Sequence, residues 1–388
     1  MNRPIKMVVF LCQIFVKSEF LELGISKELV KGLKELGIHI PTEIQKKVIP
    51  LLLDKTTDLV GQAQTGTGKT AAFGLPLLQK INPHLKETQA LILVPTRELG
   101  QQVQKQLFRY TKYTDKIFAE AVFGGEKIEK QISRLSRTTH IVVATPGRLL
   151  DLVRRKTVDL RKVKHVVLDE ADEMLSMGFK PELESVLNAM KNVQSTWLFS
   201  ATIPVEIEKI IKRYLSNSAK RISIDSGNVV NQNIEHQYLL GEETEKLNNL
   251  VAFLKSRGEE RGLIFCKTKA VTQKLAKQLI SKKFATDAIH GDLHQKDRDK
   301  VMRAFKNGKL QMIVATDLAA RGLDIQGLSY VAHYTLPDKE DFYTHRSGRT
   351  ARGGKSGLSI SFVTPREIKH LKNFGVSLDI ELIPLGQE

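Results

Sequence analysis

The sequence predicts an α/β fold made of two doubly wound parallel sheets. Three observations carry this expectation. Short apolar, β-rich runs alternate with amphipathic helical stretches, the rhythm is played twice, and the length of 388 residues exceeds one ordinary core and suits two domains of about 150 to 200 residues each. In the first half the strand candidates are Asp58 to Gly61, Ala90 to Val94, Ile141 to Ala144, His165 to Leu168 and Thr196 to Phe199, with helices such as Glu98 to Tyr110 between them. Nearly every run ends in polar or turn residues, and in open α/β sheets ligands bind at the carboxyl ends of strands, so these clusters are expected on one edge. Around Ser216 to Asn233 the periodicity fades into Ser, Asn, Gly and Lys. It resumes with Leu263 to Cys266, Met312 to Ala315, Tyr330 to Ala332 and Leu358 to Val363, with helices such as Thr268 to Lys282. The predicted organisation is an extension over 1–19, a first domain over 20–216, a flexible linker over 217–233, a second domain over 234–375 and a short tail over 376–388.

Composition narrows the class. With 41% hydrophobic and 27% charged residues the chain reads as globular, and no apolar run approaches the roughly 20 residues of a membrane span. Sixty Lys and Arg against 43 Asp and Glu give a net charge of +17, which favours a polyanionic partner, nucleic acid first, through phosphate neutralisation. The alternative is a basic surface that serves solubility. Cys12 and Cys266 stand far apart without metal-ligand spacing, which suits a reducing compartment. Met7 to Val16 imitates a signal-peptide core but contains Gln13 and lacks a small-residue cleavage site before Lys17. A short extra strand or tail, or a start lying upstream of the true one, are the other readings of that segment.

Ala63-Gln64-Thr65-Gly66-Thr67-Gly68-Lys69-Thr70 sits between a predicted strand and a predicted helix and reads as a phosphate-gripping turn. Small residues let successive N–H groups converge on phosphate oxygens, the helix amino end adds partial positive charge, Lys69 meets the outer phosphates, and Thr70 offers a hydroxyl to magnesium. The expected ligand is ATP. Ala63 departs from the general pattern, which has glycine there. The second half has no such loop, so its arginines are expected to complete a site belonging to the first.

Taken together, the motifs resemble those of the DEAD-box ATP-dependent RNA helicases of superfamily 2, in a minimal-core bacterial form, over roughly Phe20 to Val363. The resemblance implies two RecA-like domains that close on one ATP. Gly37 to Gln45 resembles the adenine-reading motif, which implies that Gln45 binds the base and that Phe20 packs against the same pocket; an amide offers the purine edge both a donor and an acceptor. Asp169-Glu170-Ala171-Asp172 implies that Asp169 holds Mg2+ with Thr70 and that Glu170 orients or deprotonates the attacking water. His345 to Arg352 resembles the arginine-finger motif and implies that Arg349 and Arg352 meet the γ-phosphate. Ser347 and Ala351 stand where Ile and Gly are commonest. Asp324 is implied to contact the ribose, although a cap would also account for it. Asp172, Ser200, Thr202 and His345 are implied to couple ATP state to strand separation.

For RNA, the resemblance implies backbone contacts from Pro95, Thr96, Arg97, Gly125, Thr145 and Arg148 in the first domain. Thr268, Gly291, Gln295, Arg298, Thr316 and Arg321 are implied to continue the track in the second, where several could instead be caps or surface residues. Such groups reach phosphates and do not read base identity, and an aromatic content of 6% argues against stacking as the main grip. The implied activity is RNA-stimulated ATP hydrolysis that drives local, non-processive unwinding of short duplexes or remodelling of ribonucleoprotein. An ATP-gated RNA clamp and a DNA helicase or unrelated ATPase are the competing readings. A cytoplasmic monomer with no membrane association is expected.

Overall fold

The computed structural model describes residues 18–54, 57–64, 66–224, 233–320, 323, 325, 327–351 and 356–386. Its first sheet uses β1 (Leu59–Gln62), β2 (Ala90–Leu93), β3 (Ala119–Val122), β4 (Ile141–Ala144), β5 (His165–Leu168), β6 (Ser195–Ser200) and β7 (Lys220–Ser223) in the spatial order β3-β4-β2-β5-β6-β1-β7. The second uses β8 (Ile234–Leu240), β9 (Gly262–Cys266), β10 (Thr286–Ile289), β11 (Met312–Thr316), β12 (Tyr330–His333), β13 (Gly357–Val363) and β14 (Ile383–Pro384) in the order β10-β11-β9-β12-β13-β8-β14. Every pairing is parallel. Adding seven to each strand number of the first sheet reproduces the second.

The central strands are apolar throughout because both faces of a parallel sheet are covered by helices. Ala90, Ile92, Ile141, Val143 and Val167 point into one core with Phe73, Val103 and Leu107. Their neighbours Leu91, Leu93, Val142, Val166 and Leu168 point into another with Leu149, Leu183 and Ile210. This is the two-residue alternation of a strand turned into two hydrophobic layers. The second sheet is covered likewise, with Ile264 and Val314 on one side and Leu263, Phe265 and Ile313 on the other.

One glycine is fixed by close approach in the middle of a sheet. A Cβ on Gly262 would lie 2.1 Å from the Tyr330 ring of the adjacent strand, so only glycine lets β9 and β12 pair around that aromatic.

Two stretches differ from their sequence reading. Lys220–Ser223, inside the expected linker, pairs with β1 as an edge strand. Ile383–Pro384, inside the expected tail, pairs with β8, and the helix Ile368–Leu378 buries Leu371, Phe374 and Leu378. Both strands are short and polar or proline-containing, as sheet edges often are, and that composition hid them. No helix among the described residues is long and apolar enough to cross a membrane.

Candidate active site between the two sheets

The phosphate loop joins β1 to the helix Lys69–Lys80. Gly66 and Gly68 have φ of 90° and 92°, left-handed backbone that glycine adopts without strain. The Lys69 side chain is almost fully buried and its Nζ donates to the Ala63 carbonyl at 2.8 Å, which clasps the loop across its mouth. Thr67 Oγ1 donates to the Gln64 carbonyl at 2.8 Å. Thr70 lies in the first turn of the following helix. Thr65 lies outside the described residues.

Gln45 supports this loop directly. Its Nε2 donates to the Gly68 carbonyl at 3.0 Å, and its Oε1 accepts from the Thr42 backbone N–H at 3.0 Å, closing a capping box at the helix Glu43–Leu53. A Cβ on Gly68 would sit 2.4 Å from that Nε2. One donor and one lone pair of the amide remain for a purine edge. Phe20 is fully buried among Ile25, Leu29 and Leu33. The ring thus belongs to the same core as Ile44 of the adenine-reading segment, against which Ile38 of that segment also packs.

Asp169 and Glu170 follow β5. Asp169 is 2% exposed and its Oδ1 is buried without a hydrogen-bond partner. Burial lifts its carboxyl to about 7, with the Lys69 ammonium pulling the other way and the Glu170 carboxylate adding to the rise. A desolvated carboxylate oxygen with no donor is what a hard divalent cation satisfies, so the residues fit Mg2+. Among the described residues no three His, Cys, Asp or Glu side chains gather into a metal cage, and a magnesium ion bound largely by substrate phosphates and water does not need one. Glu170 has φ 53° and ψ 53°, a left-handed conformation that is uncommon outside glycine and gathers at functional positions.

The loop after β6 is bonded to this segment. Ser200 Oγ accepts from the Asp172 backbone N–H at 3.1 Å, and Asp172 Oδ2 accepts from both the Thr202 backbone N–H and its hydroxyl at 2.9 Å. The second sheet completes the site: one cavity is lined by Lys69, Glu170, Asp172 and Ala201 from the first half and by His345 and Arg349 from the second. Burial lowers the Arg349 guanidinium pKa, and the Glu170 carboxylate opposes that shift. Arg346, beside it in sequence, points away and makes a bidentate pair with Asp317 at 2.5 and 2.7 Å. Ser347 is also buried, its hydroxyl 2.9 Å from Ser359 Oγ, which explains a small polar residue at a position where isoleucine is commonest. Arg352, Arg321 and Asp324 lie outside the described residues.

The groups expected on RNA gather at the carboxyl ends of the strands. Thr96 caps the helix Arg97–Tyr110 and Thr268 caps the helix Lys269–Ser281, each side chain accepting a backbone N–H at 3.3 Å. These two helices follow β2 and β9, equivalent strands of the two sheets. Gly125 and Gly291 follow β3 and β10, also equivalent, and both are exposed. Pro95 and Thr145 are buried at strand ends, and Thr316 closes β11. Gln295 Nε2 donates to Asp299 Oδ1 at 2.8 Å. Arg148 donates to the Glu126 carbonyl at 3.1 Å, and Arg97 lies 4.6 Å over the Phe123 ring.

Two acidic residues that the motif reading missed now stand out. Glu98 pairs with Arg298 at 2.8 Å and Asp299 with Arg97 at 3.9 Å, so the amino ends of helices Arg97–Tyr110 and Gln295–Lys306 are joined across the interface by ion pairs of exchanged sign. In sequence Glu98 is an acidic residue in a first helical turn, which the helix dipole alone accounts for.

Two family matches cover most of the chain: DEAD/DEAH box helicase over residues 42–210 and helicase conserved C-terminal domain over 245–354. The chain belongs to the DEAD-box helicases. It is similar to the DEAD-box ATP-dependent RNA helicases CshA of Bacillus cereus, 43% identical over 91% of this chain and 67% of that protein, and of Geobacillus kaustophilus, 42% identical over 91% and 75%. It thus spans roughly two thirds to three quarters of the length of these relatives. Among solved structures it resembles S. cerevisiae Dbp5 bound to RNA and ADP BeF3, with a TM-score of 0.86, 32% identity and coverage of 94% and 95% of the two chains. The likeness to a DEAD box protein of Methanococcus jannaschii has a TM-score of 0.55 at 41% identity, covering 94% and 98%.

Proposed function

We propose that this protein is an RNA-stimulated ATPase that separates short RNA duplexes locally, in the cytoplasm, as a monomer. The observation that supports this best is the composite cavity: a phosphate-loop lysine and a strand-end glutamate on one side, an arginine and a histidine on the other. Backbone N–H groups of Gly66 to Thr70 and the Lys69 ammonium hold the β- and γ-phosphates of ATP, and Gln45 keeps the loop in shape while presenting its remaining donor and acceptor to the base. Asp169 and Thr70 would hold Mg2+, which when bound would neutralise charge on the phosphates. Glu170 orients the attacking water and takes its proton. Arg349 meets the γ-phosphate oxygens with a planar fork that stays charged. RNA lies along the carboxyl ends of both sheets, held through its phosphates by helix amino ends and glycine turns.

Catalysis of this kind depends on positioning and charge neutralisation, so closure of the two halves is the switch. The bonds from Asp172 to Ser200 and Thr202 tie the acidic segment to the end of β6 and the loop after it, the link through which closure would be coupled to strand separation. The test is steady-state ATP hydrolysis with and without single-stranded RNA, beside strand separation of a short RNA duplex. Stimulation by DNA alone, or hydrolysis indifferent to nucleic acid, would overturn the proposal.

A further inference from the structure

The turn from Phe123 to Lys127 links β3 to the helix Ile128–Leu135, and Gly125 within it has φ 81°. Both first-domain arginines expected on RNA rest against this turn. Arg148 Nη1 donates to the Glu126 carbonyl at 3.1 Å, and the Arg97 guanidinium lies 4.6 Å over the Phe123 ring. A Cβ on Gly125 would stand 4.0 Å from Arg97 Nη1, so the glycine leaves room for that side chain. Arg97 also meets Asp299 across the interface at 3.9 Å.

The helix that follows ties the turn down at both ends. Arg134 grips the Glu126 carboxylate with its whole fork, Nη1 to Oε1 at 3.0 Å and Nη2 to Oε2 at 2.7 Å, and it pairs as well with Glu120 of β3. Gln131 is fully buried, and its Nε2 donates to the Phe123 carbonyl at 2.9 Å and to Glu126 Oε2 at 3.0 Å. Arg134 holds the Glu126 carboxyl down to about 2, and the Arg97 charge adds to the fall. The side chain is therefore a carboxylate at neutral pH.

A single ion pair at a partly exposed site contributes little to stability, whereas a bidentate pair inside a network fixes geometry. A carboxylate next to Gly125 also has the wrong sign for touching an RNA phosphate. Its role must lie in what it holds.

We propose that Glu126, clamped by Arg134 and Gln131, is a positioning residue for RNA: it sets the glycine turn and Arg148 where backbone phosphates meet them. This rests on the RNA-dependent ATPase reading above. Glu126 and Arg134 act through the turn and do not themselves contact the strand.

The test follows ATP hydrolysis by the full chain while single-stranded RNA is titrated in. Glu126→Gln keeps the size of the side chain and gives up the fork-to-fork pair. The RNA concentration for half-maximal stimulation should rise about tenfold while kcat at saturating RNA stays within about twofold. Arg134→Lys preserves net charge, loses the fork and should show the same rise. The two changes combined should do no more than the larger single one, since they break one contact. Arg134→Lys alters a partly exposed side chain, so the test survives a Glu126→Gln chain that does not fold.

Glu126→Gln makes the chain more basic, so an unchanged or lowered half-maximal concentration would mean that the carboxylate merely repels RNA, and would overturn the proposal. Native behaviour in Arg134→Lys would overturn it too, as would losses that add in the combined variant, which would make Arg134 an RNA contact in its own right. A native chain whose hydrolysis ignores RNA would instead sink the RNA-dependent ATPase reading, and that is seen before any variant is made.

Discussion

Thr202 is fastened twice to the same oxygen of Asp172, through its backbone N–H and through its hydroxyl, each at 2.9 Å. Thr202→Val keeps the shape of the side chain and removes one of these bonds, a loss of about 1.5 to 3 kcal/mol for a hydrogen bond to a charged group. We expect hydrolysis to stay within a few-fold of the native rate and duplex separation to fall about tenfold. Parallel assays of both activities decide it, and equal losses would show that the loop acts on hydrolysis itself.

Glu170→Gln should bind ATP and RNA and stop turnover, because the carboxylate that aligns water is lost while the phosphate cradle remains. The expected fall in hydrolysis is at least about 100-fold. Undiminished steady-state hydrolysis would remove Glu170 from the mechanism.

Arg349→Ala is expected to reduce maximal turnover by about 1000-fold while moving KM for ATP only slightly, since a finger acts mainly on charge in the transition state. Arg349→Lys should recover little, because a point charge cannot reproduce the fork. A raised KM at unchanged kcat would make it a simple binding residue.

Ala351 has φ 53° at a position where the arginine-finger motif it resembles most commonly has glycine. Left-handed backbone disfavours an alanine by about 1 to 2 kcal/mol, and glycine's extra freedom when unfolded returns about 0.4 to 1 kcal/mol of that. Ala351→Gly should therefore stabilise the chain by roughly half a kcal/mol to one. The reverse change nearby, Gly357→Ala, should destabilise it, because the new Cβ would lie 2.2 Å from Thr350 Oγ1. Denaturant midpoints of both variants check the pair.

Stability should fall as pH drops from 7 to 5. Burial holds the imidazoles of His165 and His236 down to about 4, and that of His333 well below its ordinary value. Between pH 6.5 and 4 the unfolded rings therefore take up protons that the folded ones refuse, so acid favours unfolding. For His165 and His236 this is about 2 kcal/mol each at pH 5. Glu126, which the Arg134 guanidinium holds to about 2, acts below that window. His236→Gln should flatten the profile by its share, and a native midpoint that is level between pH 5 and 7 would mean the rings stay accessible to protons.

The strands legible in sequence were those in the middle of each sheet. β1, β2, β4, β5 and β6, and then β9, β11, β12 and β13, carry short apolar runs because both faces are covered. The five that escaped notice, β3, β7, β8, β10 and β14, lie at or beside a sheet edge, where half the residues meet water and the pattern thins to sequences such as Thr-Asp-Ala-Ile in β10. The site shows the same division. Lys69, Asp169, Glu170 and Arg349 were readable as short local motifs. The bond from Gln45 to Gly68, the burial of Phe20 and the ion pairs of Glu98 and Asp299 depend on how distant segments meet, and no local spacing encodes that.

The repeated strand order has a consequence for stoichiometry. Thr268 caps the helix after β9 as Thr96 caps the one after β2, and Gly291 follows β10 as Gly125 follows β3, so under the proposed function a single strand of RNA would meet two like handholds. The counterpart of β1 is β8, and where the first continues into Ala-Gln-Thr-Gly the second continues into Gly241-Glu242-Glu243. Two carboxylates stand at that corner, Glu243 paired with Lys246, in place of the glycine turn, so under the proposed function each molecule would seat one nucleotide while offering its polymer partner a tandem hold.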